Sequence, residues 1–350
     1  MQSKEFTYIC WGLLMVTTRK FGKFEGRDVI ETTLQSDIAK VSILNYGCVV
    51  RDWKVNRANG PVSVVLGFEE FENYPLHSPS FGIIAGRVAN RTAYGRFQLN
   101  GTEYQLPIND GLNHLHGGNI GLGRRIWDME TDATANSVKL TYRSIAGEEG
   151  YPATVDFSVI YQLEGARLTC EMAAAPCAPT PINLAQHSYY NLSGAGNVRD
   201  HQIQIAAHSY TPVDETQIPT GAILPVADTR FDFTKSTTFN LTDPDRVGVD
   251  HNLILDAARD LSQPTATVFS PSSNLQLTLW TNEPGLQLFN APNMKMPVAG
   301  LNGEIYGSFS GVCLEAQHFP DSLNHPEWPS IIHTPDNPYT QKLSVEISER

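Results

Sequence analysis

The amino-acid sequence predicts an all-β fold, one large antiparallel β-sandwich. Apolar residues alternate with period two along most of the chain, helical periodicity is almost absent, and turns rich in Gly, Pro, Asn and Asp recur throughout. In Val155 to Leu163, the side chains of Val155, Phe157, Val159, Tyr161 and Leu163 point to one face of a strand. Leu275, Leu277 and Leu279 repeat the pattern, as do Leu343, Val345 and Ile347. Asn100-Gly101, between Phe97/Leu99 and Tyr104/Leu106, is a two-residue hairpin signal because both turn positions favour positive φ. Half-buried strands in this number must cover one another's apolar faces, which is what a sandwich does.

Bulk composition narrows the class further. The chain has 350 residues, 41% hydrophobic and 18% charged, enough for a globular core of its own. No linker or low-complexity segment divides it, so a single domain is expected over residues 21–350, behind a dispensable extension of residues 1–20. Within that extension Tyr8 to Val16 is an apolar run, too short to span a bilayer. Glu5 lies where a signal peptide is basic, and no small-residue cleavage site follows. Met15 is the expected translation start. The net charge of −12 opposes nucleic-acid binding, which needs a basic stripe. Cys10, Cys48, Cys170, Cys177 and Cys313 are odd in number and form no CxxC pair, so reduced thiols in a cytoplasmic protein are expected.

Histidines in polar company are the candidates for chemistry: His114 and His116 in NHLHGG, His187 in QHSYYNLSG and His251 in VDHNLIL. Asp250 and Glu315 are the carboxylates in similar company. His114 and His116 have the two-residue spacing that lets a strand grip a metal, yet Gly117, Gly118 and Asn119 follow where a further ligand is needed. No GxSxG elbow, GxGxxG turn or P-loop is present, so no metal or organic cofactor is expected. One glutamate base, one histidine acid and many neutral hydrogen-bonding groups suit proton transfer on a neutral, polyhydroxylated ligand.

At these residues the sequence resembles the aldose 1-epimerase (galactose mutarotase) family, from about Phe21 to Ile347. The resemblance is carried by GRVANR at Gly86–Arg91, NHLHGG at Asn113–Gly118 and HSYYNLSG at His187–Gly194. IPTG at Ile218–Gly221 with FDF at Phe231–Phe233, DHNLIL at Asp250–Leu255 and CLEAQHFPDSLN at Cys313–Asn324 follow in the family's order. It implies the mutarotase-like supersandwich and a small-molecule sugar substrate. It further implies Glu315 as general base, His187 as general acid and His116 as a second active-site histidine. Arg87, Asp250, Gln287 and Asn90 fall at sugar-binding positions.

Two segments depart from the family pattern. LFNAPNM at Leu288–Met294 replaces an aromatic, glycine-containing stretch, and SPSFG carries Ser80 where an aromatic is common. Both bear on which sugar is preferred. Three other functions stand beside anomer interconversion: a non-catalytic sugar-binding module, an isomerase or cyclase acting on a non-sugar ligand, and a hexose-6-phosphate epimerase. The first is expected to lose Glu315 or His187. The last needs an arginine cluster, and Arg87 has only Arg91 and Arg96 nearby.

Overall fold

The computed structural model describes residues 15–350. The run from Tyr8 lies outside them except for Met15 and Val16, as does Cys10. Almost all regular structure is extended, and the two α-helices among the described residues are single turns, Asn73–His77 and Phe239–Thr242. Three large antiparallel sheets of five, nine and six strands make up the body, with two-stranded pieces between them. The predicted antiparallel β-sandwich is therefore the observed fold.

The five-stranded sheet is a simple meander that starts with Met15–Phe24 and ends with Val62–Ser63. Its first strand corrects the domain boundary read from the sequence. Met15 to Lys20, assigned to the extension, pair with Gln35 to Ile30 of the next strand. Phe21 and Phe24 at the end of that strand pack on a buried cluster with Tyr46 and Phe71. The signal was weak because most of the strand's side chains stay in solvent.

Alternation is realised most fully in the nine-stranded sheet. Val155, Phe157, Val159, Tyr161 and Leu163 are all buried, and their cross-strand partners include Met172, Cys170 and Leu168. Leu343, Val345 and Ile347 lie inside next to Leu279 and Leu277. Each such side chain contributes about 1.5–3 kcal/mol on burial. The Asn100-Gly101 turn has φ of 51° and 78°, closing the hairpin of Arg96–Leu99 with Thr102–Gln105. Phe97 and Tyr104 stack across it at 5.1 Å.

The six-stranded sheet positions the candidate site. Leu253, Leu286, Leu288, Leu314 and Ala316 line its inner face and join the largest buried cluster, which touches all three sheets. Period two then dictates that Asn252, Gln287 and Glu315 point to the opposite face. Among the described cysteines, Cys48, Cys170 and Cys313 are buried, Cys177 is exposed, and all are free.

Candidate active site

Strand register assembles the site. Gln287 on Gly285–Phe289 lies opposite Glu315 on Val312–Gln317 and, on its other side, opposite Asn252 on Asp250–Leu255. Tyr189 pairs with Cys313, and extending that antiparallel ladder by two residues brings His187 opposite Glu315. His187, Glu315, Gln287 and Asn252 thus form one row across four strands. Tyr189, Cys313, Phe289 and Asp250 form the next row, on the same face.

His187 Nε2 and Glu315 Oε2 are 3.5 Å apart, with side chains only 5% and 3% exposed. Tyr189 stacks on the imidazole at 5.1 Å and fixes its plane. Burial holds His187 down at about 4, and burial followed by the nearby Asp250 charge holds Glu315 well above the usual carboxylate range. Arg91 pulls Glu315 partly back. Glu315 is therefore a stronger base, and His187 a stronger acid, than either is in water. Glu315 Oε2, His187 Nδ1 and Gln287 Oε1 are buried without a hydrogen-bond partner in the protein. These atoms are free to bond a polar ligand.

His116 follows the short strand His114–Leu115, which pairs antiparallel with Arg91–Thr92. Its N–H donates to Asn90 O at 3.0 Å, and Asn90 N–H donates to its Nδ1 at 3.1 Å. The ring packs edge-on against His187 at 5.1 Å. The turn after it needs glycine: a Cβ on Gly117 would sit 1.7 Å from Gly86 O, and its φ is 86°. Burial first, then His187 and Arg91, keep His116 well below the ordinary histidine value, so it is neutral.

Nitrogen and oxygen atoms of His116, His187 and Glu315 lie within 4.8 Å of one another, a donor set of the kind that grips transition metals. The His116 tautomer opposes that role. Its Nδ1 lone pair is taken by Asn90 N–H, so the ring proton sits on Nε2, where an ion would need a lone pair. The residues do not fit a metal in this state.

Asp250 receives a hydrogen bond from Gln287 Nε2 at 2.6 Å. Burial raises its carboxyl, while Arg91 and the Gln287 bond draw it down. Asn90 spends its side-chain oxygen on Arg91 N–H at 2.8 Å, leaving its amide nitrogen as the group it can offer a ligand. Of the residues expected at the site, the structure brings together Glu315, His187, His116, Asp250, Gln287 and Asn90.

Arg87 is a correction. Its guanidinium is buried away from this face and spends its donors on Ser144 Oγ and on the carbonyls of Ser144, Ile145, Pro152 and Ala153, at 2.8–3.0 Å. Tyr151 lies under the guanidinium at 5.7 Å. No donor is left for a sugar hydroxyl. The arginine at the site is Arg91, whose Nη1 is 3.8 Å from Asp250 Oδ2. Both arginines belong to GRVANR, and nothing in that motif says which one turns inward. Tyr189 was also missed, though HSYYN placed it two residues from His187, the spacing that shares a strand face. His114, by contrast, is structural: its ring bridges Pro107 O and the Tyr151 hydroxyl.

The family model described as aldose 1-epimerase matches residues 31–346. The chain belongs to the aldose 1-epimerase family. It is 40% identical over 343 residues to the galactose mutarotase of Mus musculus, an alignment covering 96% of this chain and 99% of that protein. It is 33% identical over 298 residues to the aldose 1-epimerase of Escherichia coli strain K12, covering 83% of this chain and 86% of the other. Among solved structures, galactose 1-epimerase from Lactobacillus acidophilus superposes with a TM-score of 0.83 at 28% identity, covering 96% of this chain and 99% of that one. An aldose epimerase homologue from C. elegans gives a TM-score of 0.84 at 27% identity, covering 89% and 96% respectively. Glu315 lies on the strand Val312–Gln317, and His187 on the short link between Ala185–Gln186 and Tyr189–Tyr190.

Proposed function

We propose that the protein interconverts the α and β anomers of a free aldohexose by opening and reclosing the ring, with Glu315 as base and His187 as acid. The carrying observation is the buried His187–Glu315 pair at 3.5 Å; burial favours the form with the shared proton on Glu315, and the reaction proceeds from the form with that proton on His187. Glu315 takes the proton of the anomeric hydroxyl, the C1–O5 bond breaks, and O5 receives the His187 proton. The open-chain aldehyde rotates about C1–C2. On closure O5 returns its proton to His187 while Glu315 reprotonates the anomeric oxygen, so no proton or electron is lost. The pair holds one proton before ring opening and one after it.

Asp250, Gln287, His116, Asn90 and Arg91 orient the hydroxyls. Relatives named galactose mutarotase make galactose the first substrate to test. A phosphorylated hexose fits poorly, because Arg91 already lies between the carboxylates of Asp110 and Asp250. No helix among the described residues is long and apolar enough to cross a membrane. Free, mostly buried cysteines support a cytoplasmic enzyme. The test is polarimetry of freshly dissolved α-D-glucose and α-D-galactose with and without protein. No acceleration with any aldose removes the proposal.

A further inference from the structure

Arg91 and Arg87 differ in one respect that matters at the site. Arg87 has no free donors, whereas Arg91 makes a single side-chain hydrogen bond, from Nε to Asp110 Oδ2 at 2.7 Å. Its Nη1 stands 3.8 Å from Asp250 Oδ2, too far for a hydrogen bond but close enough for strong Coulomb attraction. The guanidinium is thus poised between two carboxylates, bonded to one and held off from the other.

Asp110 sits in a tightly built turn. Asn109 and Asp110 N–H both donate to Asn113 O, and Asn113 N–H donates back to Asp110 O. The Asn113 side chain accepts from Tyr94 N–H and donates to Thr216 O, while the Asn109 side chain bonds Leu115 N–H and the carbonyls of Leu115 and Gly118. This turn leads directly into His116. The backbone that carries the Asp110 carboxylate is thus fixed, while the side chain itself is 37% exposed and bonds only Arg91.

We propose that Asp110 is a positioning residue that holds Arg91 by its Nε edge and keeps its Nη donors turned to the sugar. Without that anchor the guanidinium falls onto Asp250 and makes a two-pronged pair with it. Two hydroxyl-binding groups are then spent on each other. The inference rests on the aldose reading above and on Arg91 binding sugar.

The test is KM and kcat for α-D-galactose by polarimetry, with melting temperature as a check on folding. Asp110→Ala is expected to raise KM by about tenfold while kcat changes less than about twofold. Asp110→Asn keeps an acceptor for Nε–H and is expected to restore most of that loss. In an Arg91→Ala background, where KM is already raised, Asp110→Ala should add nothing. An unchanged KM in Asp110→Ala overturns the proposal, as does an equal further rise in the Arg91→Ala background, which shows Asp110 acting on its own. A wild-type protein that fails to accelerate mutarotation defeats the aldose reading instead. An Arg91→Ala protein with normal KM defeats the assignment of Arg91, and this proposal with it.

Discussion

The backbone N–H of Asn90 points at Nδ1 of His116 from 3.1 Å and so settles which ring nitrogen carries the proton. His116 is a fixed Nε2–H donor. The expected outcome is a ring-nitrogen NMR signature of a neutral imidazole protonated on Nε2 through the neutral pH range. Mutarotation should proceed undiminished in excess chelator. Activity that vanishes with chelator and returns with a divalent ion would overturn the donor role.

The acid–base pair is tested by Glu315→Gln and His187→Asn. Each should lower kcat by about 10²-fold or more, and the double variant should be far less than multiplicatively worse, since the two work as a unit. The pH profile of kcat/KM should be bell-shaped. Its acid limb, where a second proton enters the pair, should fall below the ordinary histidine value of 6.5, because burial holds His187 near 4. Its basic limb reports removal of the last proton from a Glu315 raised by burial. Near-normal kcat in Glu315→Gln would remove this residue from the mechanism.

Stability should move the opposite way from activity at Glu315. A carboxyl raised on folding contributes stability that is full below its unfolded value of about 4.5 and is lost as pH rises through the folded value. Glu315→Gln should therefore raise the melting temperature at pH 7 and leave it nearly unchanged at pH 4. A residue that anchored its strand through an ionised carboxylate would give a lower melting temperature at pH 7.

Arg87 and Arg91 should separate cleanly. Arg87→Ala strands several carbonyls and is expected to cost about 3–5 kcal/mol of stability in chemical unfolding. KM in its folded fraction should be normal. Arg91→Ala should raise KM and spare the melting temperature. The reverse pattern would restore Arg87 to the sugar site.

A chain beginning at Met15 should match the full-length protein in melting temperature and activity. Removal through Phe24 deletes an entire paired strand together with Phe21 and Phe24, and should lower the melting temperature by at least about 5 °C. Equal stability of the two truncations would show that this edge strand adds nothing.

Much of the architecture was legible because alternation is a local property: Val155 to Leu163 declares its buried face whatever packs against it. Asn100-Gly101 was equally legible, since positive φ is a demand on two residues alone. Glu315 and His187 were singled out by their motifs, and the structure sets them 3.5 Å apart. The choice between Arg87 and Arg91 was not legible, because it depends on carbonyls of residues 144–153, far away in sequence. The stacking of Tyr189 on His187 was hidden for a related reason. The pairing with Cys313 that aligns it exists only once two distant segments meet.

The two rows on the outer face of the six-stranded sheet act as a grid of addresses two residues apart along each strand. The proposed acid–base pair, His187 and Glu315, occupies one row, and the other holds Tyr189, Phe289 and Asp250. A single-residue deletion within Val312–Gln317 would exchange Glu315 for a core leucine or alanine, and so destroy catalyst and interior at one stroke. In the second row Phe289 carries no such penalty, unlike Tyr189, which stacks on His187, and Asp250, which bonds Gln287. Phe289, which stands where the family departs, can change which ring the face accepts while the row beside it keeps its chemistry. Descent of this protein toward new sugars is therefore channelled: residues may be replaced in place, but the ladder beneath them cannot slip.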